Sequence, residues 1–118
     1  MRYALLIYAD EARWANLSDE EKARLRSEEM PRWIAVFEEL QKADHGVSGY
    51  ELDGAGTAKV VRVRDGERIV TDGPFAETKE VLGGAFVLDV PDLDEAIRLA
   101  ALVPTSWQGS LEIRPILQ

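Results

Sequence analysis

The chain has 118 residues, 46% hydrophobic and 31% charged, with a formal net charge of −8 and no cysteine. That length and composition make one globular domain, residues 1–118, and exclude a disordered chain. They also exclude a basic nucleic-acid binder, a disulfide framework and a thiol nucleophile, and no apolar run reaches the roughly 18 residues of a membrane span.

The N-terminus begins directly as a strand pattern, without the charged-then-apolar layout of a signal peptide, so a cytoplasmic location is expected. Tyr3 to Tyr8 is apolar on both alternating faces, which predicts an interior strand covered on both sides. Asp10 to Asn16 reads as a connection carrying Trp14. Ser18-Asp19-Glu20-Glu21 is a capping box, with acids in the first turn to suit the helix dipole. The helix opens on a charged stretch, Glu20 to Glu29, and then shows Met30, Trp33, Ile34, Phe37 and Leu40 as one apolar stripe. Pro31 removes a backbone donor, which predicts a kink or break around Glu28–Met30. The helix should end near Asp44, with His45-Gly46 as its exit.

Val47 to Leu52 reads as a short strand, and Asp53 to Thr57 as a plain turn, since no helix start follows to make a phosphate cradle. Ala58 to Arg64 alternates, with Lys59, Val61 and Val63 on one face and Val60, Arg62 and Arg64 on the other. Asp65-Gly66 is a hairpin signal, and Glu67 to Thr71 is the return strand. Asp72-Gly73-Pro74 forces a turn, Phe75 reads as a core plug, and Glu77, Lys79 and Glu80 present charges. Ala85 to Val90 is an apolar strand with Gly83-Gly84 before it. Asp92 caps a second helix whose buried face is expected to be Leu93, Ala96, Ile97 and Ala100. Ser110 to Ile116 is the last strand, with Leu111 and Ile113 facing one way and Glu112 and Arg114 the other.

This order predicts an α+β fold: a ferredoxin-like antiparallel sheet with two helices on one face and an extra hairpin inserted. A single helix layer leaves the other, apolar sheet face bare, and the economical cover is a second copy packed sheet to sheet. Tyr8, Arg62, Arg64, Glu112 and Arg114 would then line a cavity between the sheets, where the arginines would favour a small anionic ligand. Outward-facing strand arginines are the plain alternative.

Asp72 has two readings: an acid or base at a strand end where pockets open, or an Asx-type turn bonded to its own backbone. Glu77 and Lys79 can hold a polar ligand or simply decorate an exposed turn. His45, the sole histidine, reads as a helix C-terminal cap more readily than as a catalyst. One histidine and no cysteine give no metal site, and no cofactor is expected.

Val70-Thr71-Asp72-Gly73-Pro74-Phe75-Ala76-Glu77-Thr78-Lys79-Glu80 is the most distinctive run in the chain. Taken with Tyr3–Tyr8 and Asp10-Glu11, with Leu82-Gly83-Gly84, with Asp89 through Ala96 and with Glu112-Ile113-Arg114-Pro115, it resembles the YCII-related (YciI-like) DGPF-domain family over essentially the whole chain. The resemblance implies a dimeric α/β-barrel of ferredoxin-like subunits, mostly bacterial and mostly without assigned activity. Some members are encoded beside extracytoplasmic-function sigma factors, which makes such a factor an expected partner. The YciI-like branch is thought to use a His–Asp pair; its histidine position falls near Met30, which does not titrate, and this departure tells against that mechanism. The expected function is binding of a small, anionic organic ligand near the DGPF segment, by Tyr8, Arg62, Arg64, Phe75, Glu77 and Arg114. The alternatives are an enzyme with Asp72 as acid or base and a regulatory partner of a sigma factor.

Overall fold

Along β1 (Arg2–Ala9) Tyr3 and Leu5 point to one side, Ala4 and Leu6 to the other, and only the first side is closed by helices. The computed structural model describes residues 1–42, 48–76 and 78–117. The expected helix exit at Asp44 to Gly46, His45 included, and the candidate site residue Glu77 lie outside the described residues.

After β1 come a short helix α1 (Glu11–Ala15), the long helix α2 (Asp19–Lys42) and β2 (Ser48–Glu51). The hairpin β3 (Lys59–Arg64) and β4 (Glu67–Asp72) follows, then β5 (Val81–Asp89), α3 (Leu93–Leu102) and β6 (Ser110–Pro115). The main sheet has the order β2-β5-β1-β6 with antiparallel neighbours, compatible with the ferredoxin-like expectation, and β3-β4 forms a separate two-stranded sheet.

The core lies between the sheet and its helices. Tyr3, Leu5 and Leu88 from the strands meet Leu40 of α2 and Ala96, Leu99 and Ala100 of α3. Asp92 caps α3 by accepting from the Glu95 amide at 2.9 Å, and the Ser18–Glu21 box forms as expected, with the Glu21 amide donating to Ser18 Oγ at 3.1 Å. Arg98 of α3 reaches Glu39 of α2 at 2.8 Å. Hydrogen bonds to Glu95, then to Glu39, hold its guanidinium pKa above the ordinary arginine value.

Several local expectations are corrected. Residues 11–15 are helical, because Asp10 accepts from the Arg13 amide at 3.0 Å and so starts a turn. Helix α2 runs through Pro31 unbroken. The lost bond would have ended on the Ser27 carbonyl, and both residues are exposed, so that carbonyl is left open to solvent and not buried unpaired. On α3 it is Leu99 that is buried with Ala96 and Ala100, while Leu93 and Ile97 are about half exposed. Phe75 is no core plug: it is 78% exposed. The turn beside it contains a cis Gly73–Pro74 peptide.

The hairpin turn is as read. Asp65 and Gly66 both have positive φ, 51° and 77°, the type I′ geometry that suits strand twist. Gly83-Gly84, expected ahead of β5, instead lies inside it. A Cβ on Gly84 would stand 2.8 Å from the Tyr50 carbonyl oxygen, a backbone atom that cannot swing away. Gly84→Ala should therefore cost about 1–3 kcal/mol by overpacking, read as a lower urea midpoint; an unchanged midpoint would contradict the close approach.

Candidate functional site

Gly49 on β2 and Gly84 on β5 belong to the helix-covered side of the sheet, since they pair with Phe86 and with Ile7 and Glu51. Gly49 gives its place to the Phe86 ring, which lies where a Cβ would be, and Gly83 and Gly84 put no side chain under α2. Backbone forms the floor, and the helix stands off it. The result is an open cleft of about 1660 Å³ bounded by α1, α2, β2 and β5.

Its walls are aromatic. Trp33 and Phe37 stack with ring centroids 6.0 Å apart, and Phe86 rises from the sheet to 6.4 Å from Trp33 and 6.3 Å from Phe37. Trp14 faces them from α1, with the Arg26 guanidinium 5.1 Å from its ring. The expected single stripe on α2 is thus divided. Val36 and Leu40 are buried in the core, Trp33 is half-buried, and Met30 and Phe37 remain exposed at the cleft. Glu11 closes one end, accepting from the Ala55 amide at 2.9 Å.

A smaller pocket of about 540 Å³ adjoins this cleft and shares Asp10, Arg13 and Gln108 with it. Tyr8 lines it, as do Thr78, Lys79 and Glu80 from the segment after the Gly-Pro turn. That is the contact between the DGPF run and the cleft. Glu80 is fixed there by Ser110, whose hydroxyl donates to it at 2.9 Å.

The remaining candidate residues fall into separate groups. Tyr8 donates to Glu112 at 3.4 Å and Arg114 approaches Glu112 at 3.8 Å, so these three share the uncovered sheet face. Arg62 lies 5.5 Å from the Phe75 ring, and Arg64 donates to the Val63 carbonyl at 3.0 Å, both on the hairpin. Among the described residues no contact joins these hairpin arginines to Arg114. Asp72 forms an ion pair with Lys59 across the hairpin, and its side chain is 82% exposed. Neither Asp72 nor the three arginines line the cleft. No group of three or more metal-binding side chains occurs among the described residues. No helix there is long and apolar enough to cross a membrane.

Sequence reasoning put Trp14 on a connection and Trp33 in the apolar stripe of α2, and missed the cleft they enclose. The available signal was the Gly83-Gly84 pair inside a strand, where missing side chains mark close approach by a ligand or another backbone.

Comparison with known proteins agrees with the whole-chain resemblance. An uncharacterised protein of Rhizobium meliloti (strain 1021) is 37% identical over 118 residues, covering 98% of this chain and 92% of that protein. The family model described as the YCII-related domain matches residues 1–118, and the chain belongs to that family.

Proposed function

We propose that the protein binds a small organic molecule with a planar or aromatic body in the cleft between α2 and the glycine floor. We propose further that it works as a homodimer, with uncovered sheet faces packed together into a barrel. The observation that carries the first part is the cleft itself. Trp14, Trp33, Phe37 and Phe86 hold ring surface around a floor that Gly83 and Gly84 leave low, and concave apolar sites with a few polar groups are where small molecules bind. The second part is supported by Leu6, Val87 and Tyr50, which share the sheet face away from the helices and stay partly or largely exposed there. On the hairpin, Val61, Val63 and Val70 are each more than half exposed, and a two-stranded hairpin is marginal without further packing.

Catalysis by Asp72 requires the second copy to enclose a carboxylate that one chain leaves exposed. A sigma factor read through the acids of α2 has less support, because Glu21 already serves the Ser18 cap and first-turn acids suit the helix dipole.

The test is calorimetric titration of the wild type and Trp33→Ala with a panel of one- and two-ring aromatic compounds. At least one should bind, and Trp33→Ala should weaken it about tenfold through lost ring contact. Binding of equal strength to both proteins would remove the cleft as the site.

A further inference from the structure

We infer that the cleft selects an organic cation, an aromatic body carrying an ammonium group; this deepens the ligand-binding reading above and rests on it. The charges around the cleft are unequal. Asp10, Glu11, Glu29, Glu51 and Asp53 line it, against Arg13 and Arg26. Three of these carboxylates already accept from backbone amides: Asp10 from Arg13, Glu11 from Ala55 and Asp53 from Gly54. Each keeps free lone pairs. Glu29 on α2 and Glu51 at the end of β2 have no hydrogen bond or ion pair among the described residues.

The walls have the same sign preference as the rim. An aromatic face carries the negative part of the ring quadrupole and attracts cations. Trp14 already takes the protein's own Arg26 in this way. No cation among the described residues lies over Trp33, Phe37 or Phe86; Trp33 and Phe37 turn one face each to the other, and it is the ring surface left toward the cleft that can take a cation from solution. An anion entering there would meet ring faces and unpaired carboxylates together, and like-charge juxtaposition is a strong means of rejection. Arg13 offers an anion its best contact, but it stands at the end shared with the smaller pocket, beside Lys79.

The anionic ligand expected from Arg62, Arg64 and Arg114 belongs to another surface, since none of those arginines lines this cleft.

Three probes share one ring and differ in charge: tryptamine, 3-ethylindole and indole-3-propionate. Titrated calorimetrically into the wild type at low ionic strength, tryptamine should bind about tenfold tighter than indole-3-propionate, with 3-ethylindole between them. Combining Glu29→Gln with Glu51→Gln should reduce the tryptamine-to-propionate ratio about threefold or more. Thermal melts check that the double variant is folded. Equal or reversed affinities for the charged pair would overturn the cation assignment and leave ligand binding standing. A ratio unchanged in the double variant would also overturn it. Failure of all three probes to bind would remove both the inference and the reading beneath it.

Discussion

Leu6→Lys should convert a dimer into a folded monomer. Leu6 lies near the middle of the uncovered sheet face, with Ala85 opposite on β5 and Glu112 opposite on β6. If two such faces meet, the substitution puts an ammonium group from each copy into a sheet–sheet core. Taking a charged group out of water costs several kcal/mol even beside an opposite charge, and about 4 kcal/mol corresponds to roughly a thousandfold in the dissociation constant. In the separated chain the same lysine stands across from Glu112, a favourable cross-strand pair, so the fold should survive. Light scattering after size exclusion reads the mass and circular dichroism reads the fold. A wild type that is monomeric in dilute solution, or a variant that stays dimeric, would rule out sheet-to-sheet pairing.

The second large effect lies on α3. Leu99 is 1% exposed and packs among Tyr3, Leu5, Leu40, Leu88 and Val90, whereas Ile97 is 49% exposed. Leu99→Ala removes buried methyl groups and leaves a cavity, which should cost about 2–5 kcal/mol. Ile97→Ala deletes a similar side chain from a half-wet position and should cost less than about 1 kcal/mol. Urea unfolding with unchanged m-values separates the two. If Ile97→Ala proves the more damaging, the helix faces the sheet the other way.

What the sequence made legible follows from how locally each feature is determined. The Asp65-Gly66 turn depends on two adjacent residues able to take positive φ, and the Ser18–Glu21 and Asp92–Glu95 caps close over three residues. Each could be read from spacing. The alternation of Leu111 and Ile113 against Glu112 and Arg114 survived for the same reason: one strand period fixes it.

The misreadings come from long-range geometry. Phe75 looks like a plug by its hydrophobicity, but it stands exposed at the hairpin beside Arg62. Ile97 and Leu99 are both apolar, and periodicity alone did not decide which way α3 leans. Pro31 has a helix-breaking chemistry that solvent exposure makes affordable. The cleft was hidden most completely. It arises where three glycines from two strands come under one helix face, a coincidence in space between residues some 35 positions apart (Gly49 and Gly83–Gly84).

The site residues named from sequence do not gather in one place within the single chain. Arg62, Arg64 and Arg114 are on alternating strands and share a sign, which suggests a common cavity. The hairpin carries two of them away from the main sheet as a separate pair of strands. Among the described residues of that set and its neighbours, Tyr8 and the Thr78–Glu80 segment reach the neighbourhood of the cleft, through the smaller pocket.

The most direct test of the cleft as the ligand site is a ¹⁵N-resolved NMR titration with indole, whose neutral ring probes the walls without the charged rim. The largest shifts should fall on the Gly49, Gly83 and Gly84 amides and on the indole N–H groups of Trp14 and Trp33, with the Thr71–Phe75 segment unmoved. Shifts concentrated on the hairpin, or on the Tyr8–Glu112–Arg114 face, would place the binding site elsewhere and contradict it.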